Sequence, residues 1–293
     1  MRDKFLWLII TPGLLFVLVF AYFPMYGLVI AFQNFSPYKG IAGSSWVGFA
    51  HFQDFFQSSD FWRLIKNTIL ISLYTLVFGF PVPIILAIVL NEINTKWFKR
   101  VVQTVSYLPY FISVVVVCGM IKDFLNPSTG VINNFIKLFG GEPVYFLTKP
   151  QYFKPIYVIS QIWQTMGWNS IIYLAAVAGI DQGLYEAATI DGASRVKMIW
   201  HITLPSILPT VSIMLIMNLG SILSVGYDKI ILLYNDATLS SADVISTYVY
   251  RRGLVQAEYS FGAAVGLFQN VINFTLVVVA NYTVRRLTET SLW

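Results

Sequence analysis

Charged side chains are scarce in this chain. Asp, Glu, Lys and Arg make up 11% of its 293 residues, against roughly 25% in an ordinary soluble domain. Hydrophobic residues reach 57%, where about 45–50% is usual, and the mean hydropathy is +0.68. That much apolar surface cannot be hidden inside one water-soluble fold of this size, which excludes an ordinary cytosolic enzyme and a disordered chain alike. Cysteine is nearly absent: Cys118 stands alone, so no internal disulfide and no cysteine metal cage can form. Histidine is limited to His51 and His201. No G-x-x-x-x-G-K-[ST] phosphate loop occurs, so ATP is not bound in the P-loop manner, and neither H-E-x-x-H nor G-x-S-x-G is found. There is no Gly/Ser linker, low-complexity segment or short-period repeat.

Charge is missing above all from six stretches, 5–32, 67–91, 101–121, 155–180, 203–227 and 260–284, each 21 to 28 residues long. About 20 apolar residues suffice for a helix to cross a bilayer. In lipid every backbone polar group must find its partner within the protein, so such segments fold as helices. The expected fold class is therefore all-α: a polytopic membrane protein of six transmembrane helices, with 1–293 as one transmembrane domain. The first stretch is too long for a signal-peptide core, and Pro12 and Pro24 predict that it bends or spans only in part. With the N-terminus inside, the inside stretches are 1–4, 92–100, 181–202 and 285–293. They hold nine of the 19 Lys and Arg in less than half the length of the outside stretches 33–66, 122–154 and 228–259. That density favours cytoplasmic N- and C-termini. The net charge of +5 fits cytoplasmic membrane edges better than nucleic acid. In the first outside stretch, Trp46, Phe49, Phe52, Phe55, Phe56, Phe61 and Trp62 follow a broadly helical spacing. They suit an interfacial helix at the headgroups or a docking surface for an outside partner.

The six stretches contain no carboxylate, which proton-coupled carriers and aspartate-based intramembrane proteases use. They carry neutral polar and aromatic groups instead: Gln161, Trp163, Gln164, Trp168 and Asn169 in the fourth, Asn218 and Ser221 in the fifth, and Gln269, Asn270 and Asn273 in the sixth. These serve either as helix–helix glue or as the lining of a path for an uncharged or weakly charged polar solute. Sugars suit such a lining, since hydroxyls bond to amides and apolar ring faces stack on indoles. Trp163, Gln164, Trp168, Asn169, Asn218, Ser221, Asn270 and Asn273 form the expected substrate path.

Between the fourth and fifth stretches the chain reads Tyr185-Glu186-Ala187-Ala188-Thr189-Ile190-Asp191-Gly192-Ala193-Ser194, and later Ile202-Thr203-Leu204-Pro205. Residues 183–190 are good helix formers. Gly192 can take a positive φ and end that helix sharply. Ser194 can cap a second short helix over 195–201, and Pro205 suits the start of the next span. Ala187, Ala188 and Ala193 allow close approach of another surface, while Glu186 and Asp191 offer carboxylates to basic partners. A rigid helix–turn–helix knob on the cytoplasmic side is the expected result; a plain amphipathic connector is the alternative.

E-A-A-x-x-D-G-A from Glu186 to Ala193, with Leu204-Pro205 behind it, resembles the coupling loop of ABC importer permeases that work with a solute-binding protein. The resemblance extends over nearly the whole chain. Trp46-Val47-Gly48-Phe49, Phe61-Trp62-Arg63 and Asn67-Thr68 resemble the maltose-transporter-like, type I branch. Tyr22-Phe23-Pro24-Met25-Tyr26-Gly27 and Ser106-Tyr107-Leu108-Pro109-Tyr110-Phe111 look more specifically like permeases for complex oligosaccharides, including plant-polysaccharide or alginate fragments. The resemblance implies a six-helix permease in a bacterial inner membrane, paired with a second, homologous permease chain. Two ATP-binding subunits would sit beneath the pair, and an extracytoplasmic binding protein would deliver the carbohydrate. Glu186, Ala187, Ala188, Asp191, Gly192 and Ala193 would form the knob that enters an ATPase cleft, with Glu186 facing a basic residue there. No cofactor, metal or catalytic residue is expected on this chain, and ATP–Mg would be bound by the partner ATPase. An ion-coupled secondary carrier and a membrane-embedded transferase are the two rivals.

Overall fold

The computed structural model describes residues 2–288; residue 1 and residues 289–293, the outer ends of two expected inside stretches, lie outside them. The described residues are overwhelmingly helical, with one two-residue antiparallel ladder, Gln33–Asn34 on Ser45–Trp46. Four helices are long and apolar enough to cross a membrane: Lys4–Phe32, Phe61–Glu92, Arg195–Leu219 and Tyr259–Arg286. They take up the first, second, fifth and sixth charge-free stretches.

Three details differ from the expected rods. The third stretch is not one helix: Lys96–Phe111 and Val114–Phe124 meet at 102°. Pro109 lacks an N–H to continue the first piece, and Ser113 starts the second by accepting a hydrogen bond from the Val116 N–H. The fourth stretch lies within one 29-residue helix, Pro150–Ala178. This helix is long enough to cross, but its amides keep it from ranking with the four in apolar character. The fifth helix stops at Leu219 instead of 227; residues 220–226 are irregular, and a short helix follows at Tyr227–Leu233.

The chain divides into two compact units. One holds the chain up to Trp62 together with Ile245–Val271; the other holds Arg63–Val244 and the chain from Ile272 onward. The core of the first unit is aromatic. Phe55, 1% exposed, meets Phe61, Phe261 and Phe268 edge-on and Tyr248 at a tilt, with ring centroids 5.1 to 6.4 Å apart. Full burial of such a ring is worth about 1.5–3 kcal/mol. The aromatic run of the first outside stretch is thus split. Phe55, on the helix Ala50–Gln57, is core, while Trp46, Phe49 and Trp62 remain on the surface. The rod Lys4–Phe32 is bare over its most apolar stretch.

In the second unit, Phe153, Tyr157 and Val158 pack with Ile71, Cys118, Val225, Ile230 and Leu233. Gly167 marks the tightest crossing: any Cβ there would sit on the backbone carbonyl of Ser106. Small residues allow such approach, which is how membrane helices gain dispersion contacts. Asn67 donates to the carbonyls of Ser240 and Asp243, at 3.0 and 3.1 Å, and Arg63 pairs with the buried Asp243 at 3.3 Å.

Candidate functional site

The knob segment forms by local rules. Asp181 caps the helix Gln182–Ile190 by accepting from the Gly183 N–H. That helix closes with two bonds, from the Ala193 N–H to the Ala188 carbonyl (2.9 Å) and from the Gly192 N–H to the Thr189 carbonyl (3.1 Å). This is the Schellman arrangement, which needs a left-handed residue where Gly192 stands; its φ is +71°. Ser194 then accepts from the Lys197 N–H and opens the next helix. That helix is not a separate short piece: Arg195–Met198 runs through a π turn, Ile199–Thr203, into Leu204–Leu219.

The base of the knob is anchored. The Tyr185 hydroxyl bonds Thr203 Oγ1 at 2.9 Å, and its ring packs on the core of Val177, Ile180 and Ile207. Arg195 pairs with Glu92 at 3.5 Å on the surface. The crest is open among the described residues: Glu186, Ala187, Asp191 and Gly192 are exposed, and Ile190 is 87% exposed. Sequence reasoning passed over Ile190, although an isoleucine at the end of a polar helix is a signal of docking.

The polar groups meet elsewhere in the same unit. A cavity of about 230 Å³ is lined by Ser72, Thr75, Tyr157, Gln161, Asn218, Ser221 and Ser224, among others. A second, of about 210 Å³, is lined by Thr165, Asn169 and Tyr173, and shares Thr75, Gln161 and Asn218 with the first. Neither wall carries a carboxylate or a cation. Hydroxyls and amides on a partly apolar wall can exchange hydrogen bonds with sugar hydroxyls in either direction.

Of the expected path residues, Asn169, Asn218 and Ser221 are brought to these cavities. The others go elsewhere. The Gln164 amide donates to the Ile112 carbonyl at 3.1 Å, at the break in the third stretch. Trp163 lines an apolar hollow with Val117, Met120 and Ile156. Trp168 stacks on Tyr110, with centroids 4.7 Å apart and planes 5° off parallel, and lines a hollow with Asn169 and Met214, which also line the second cavity. Asn273 is buried, accepting from the Leu223 N–H at 3.1 Å and donating to Ser224 Oγ at 2.9 Å. Asn270 is exposed and belongs to the other compact unit.

The structure adds residues that the expected path omitted. Tyr157, Gln161 and Thr165 recur every four positions ahead of the expected Asn169 and so share one helix face with it, a periodic signal present in the sequence. Ser72 and Thr75 have no comparable signature. Lys229 was passed over as a loop cation. It is 4% exposed, donates to Gln161 Oε1 at 2.8 Å and lies 5.8 Å over the Tyr157 ring. Burial pushes its ammonium down to about 8, because desolvation disfavours the charged form.

Known proteins are similar to this chain. Residues 79–289 match the model of the family described as binding-protein-dependent transport system inner membrane component. Protein LplB of Bacillus subtilis (strain 168) is 44% identical over 100% of this chain and 92% of its own length. The polygalacturonan/rhamnogalacturonan transport system permease protein YteP of the same organism is 42% identical over 100% and 91%. A chain in the crystal structure of a bacterial ABC transporter involved in the import of the acidic polysaccharide alginate superposes with a TM-score of 0.90. It is 48% identical, with 98% of this chain and 97% of that chain covered. The same transporter in complex with alginate pentasaccharide-bound periplasmic protein gives 0.91 at 47% identity, covering 99% and 97%. YteP and the alginate transporter are transport components, and this chain belongs with them: it is a multi-pass member of the binding-protein-dependent transport system inner membrane component family, with the type I ABC importer permease fold.

Proposed function

We propose that this chain is the translocation subunit of an ATP-driven importer for an oligosaccharide, of the plant-polysaccharide or alginate-fragment kind that its named relatives handle. The observation that carries the reading is the exposed knob closed at Gly192 in the same compact unit as a cavity system lined with hydroxyls and amides. In this reading six segments span the membrane, the bent pair Lys96–Phe111 and Val114–Phe124 serving as the third and Pro150–Ala178 as the fourth. Both termini and the knob face the cytoplasm. Glu186, Ala187, Ala188, Asp191, Gly192 and Ala193 enter a cleft of one ATPase subunit, and burial of Ile190 contributes about 1.5–3 kcal/mol to docking. A second permease covers the bare rod Lys4–Phe32, and an extracytoplasmic binding protein delivers the sugar.

The mechanism is alternating access. Closure of the ATPase pair on ATP moves the knob, and Tyr185 with Arg195 transmits that movement into the helices Arg195–Leu219 and Phe61–Glu92. Loaded binding protein shifts the equilibrium because it binds the outward state more tightly; a ligand acts on such an equilibrium only through differential affinity. Sugar hydroxyls are held on the way by Asn169, Asn218 and Ser221, together with Gln161 and Thr75. Purification of the tagged chain from its native membrane tests the reading. The expected result is an associated ATPase and, in vesicles supplied with the binding protein, oligosaccharide uptake that requires ATP. Uptake independent of nucleotide, or a chain that purifies without an ATPase, overturns it.

A further inference from the structure

Lys229 is a buried ammonium, and among the described residues it has no counter-ion. Among the described residues no carboxylate comes within ion-pair distance of it, and Asp228 beside it in the chain makes no pair with it. The groups that face it are neutral: the Gln161 amide and the Tyr157 phenol from the helix Pro150–Ala178, and Cys118 from Val114–Phe124. A buried charge of this kind is costly unless it is compensated, and an amide oxygen with an aromatic face compensates it only in part. Its position gives the cost a use. Both groups that hold the ammonium, Tyr157 and Gln161, are also walls of the first cavity. Lys229 therefore stands one hydrogen bond behind that wall. Its donation takes one of the two acceptor positions of Gln161 Oε1, which tilts what that side chain offers a solute toward its N–H groups.

A donor with a positive charge behind it favours an acceptor-only, negatively charged group, and the sugar group of that description is a carboxylate. We propose that Lys229 is a specificity-determining residue: acting through Gln161, it makes the cavity favour oligosaccharides of uronic acids over neutral ones of the same length. The inference rests on the transport reading above, whose named relatives already include an importer of an acidic polysaccharide, and adds the residues of this chain that set such a preference. It also gives a reason for keeping a lysine where a neutral residue would pack at lower cost.

The test uses the complete transporter in proteoliposomes with its binding protein. ATP-driven uptake of a uronate trisaccharide and of a neutral trisaccharide is followed for wild type, Lys229→Met, Lys229→Arg and Gln161→Leu. The expected result is a fall of at least about tenfold in the uronate-to-neutral ratio for Lys229→Met and Gln161→Leu, expressed mainly in KM, with most of it restored in Lys229→Arg. Equal loss for both sugars, or no restoration by arginine, assigns Lys229 to packing and overturns this proposal while leaving the transport reading intact. A wild type that carries neither sugar with ATP overturns both.

Should Lys229→Met fail to reach the membrane, the pH profile of the wild type decides. The ammonium is held down to about 8, so it is charged below that pH and neutral above it. Uronate uptake should then fall as pH rises through 8 while neutral uptake holds steady. Parallel profiles for the two sugars overturn the proposal.

Discussion

The knob and the cavity are built in opposite ways. The caps and turn that shape the knob lie within a short contiguous run: the Asp181 cap, the Gly192 turn and the Ser194 cap bond neighbours no more than five residues away, and only its base is tied to distant residues. The cavity draws Ser72, Gln161 and Asn218 from three separate helices, and each reaches its place through packing that involves residues far away in the chain. A local motif can be read from its letters and transferred intact between proteins. An assembled wall exists only as long as the helices cross where they do. The knob should therefore tolerate damage to the bundle, and the cavity should tolerate damage to the knob.

Gly167→Leu strikes at the bundle and should have the largest effect. The new side chain would have to occupy the space of the Ser106 carbonyl, and backbone cannot give way as a flexible side-chain tip can. Overpacking commonly costs 1–3 kcal/mol and more where backbone must move. The expected outcome is a marked drop in membrane-inserted protein and in melting temperature in detergent, with Gly167→Ala intermediate. Unchanged melting would mean that the two helices do not cross at Gly167.

Gly192→Val strikes at the knob alone. A β-branched residue at φ +71° is strained by more than the 1–2 kcal/mol usual for a residue with a Cβ in the left-handed region, and the turn would open. A Cβ at this position meets nothing within 4 Å among the described residues beyond its chain neighbours, so the bundle has no reason to suffer. Membrane level and detergent melting should stay near wild type, while ATP-driven uptake falls at least tenfold and sugar no longer stimulates the ATPase. Normal uptake by this variant would remove the knob from the mechanism.

The same contrast explains what could be read from the letters alone. Charge-free stretches located the helices Lys4–Phe32, Phe61–Glu92 and Tyr259–Arg286 well, because a charge in lipid is expensive wherever it falls. They did not locate the bend after Phe111 or the stop at Leu219. Lipid tolerates a break in an apolar segment when the freed backbone groups are bonded inside the protein, and the Gln164 amide does this for Ile112. The amides were harder still. Gln164, Asn218 and Asn273 look alike in sequence, yet Gln164 and Asn273 are committed to backbone groups and Asn218 lines both cavities. Only the crossing of helices decides between those fates. Lys229 was missed because a cation just beyond an apolar run reads as a loop residue, whereas here the chain turns back and buries it.

Asn218→Ala separates lining from glue. Asn218 donates to the Met214 carbonyl of its own helix at 2.8 Å and lends its surface to both cavities, so its loss should cost little stability. Uptake should change several-fold through KM, with the ATPase still bound. Trp168→Ala is the contrast: its stacking on Tyr110 is lost, at about 0.5–1.5 kcal/mol beyond the area it covers, so melting should fall, and KM should change less than in Asn218→Ala, since Trp168 meets the cavities only through the hollow it shares with Asn169 and Met214. If the two variants exchange these signatures, the cavity has been assigned to the wrong face.

The smallest effect belongs to Ser194→Ala. Its side chain accepts one long hydrogen bond, 3.4 Å, from the Lys197 N–H, and loss of an N-cap costs about 0.5–2 kcal/mol, with a bond this long at the low end. The helix it opens is also held by Tyr185 on Thr203 and by the core at Ile207, so the fold should not register the change. The coupling should, because the cap fixes the angle at which the knob leaves the helix that carries its motion. The expected result is wild-type melting with uptake lowered about twofold and sugar stimulation of the ATPase reduced in proportion. Addition of Tyr185→Phe, which removes the second tie at the same end, should lower uptake by more than the product of the two single losses, since residues that brace one element do not act independently. Simple multiplication would show that the caps shape the knob without bracing it, and that rigidity enters through the Schellman turn alone.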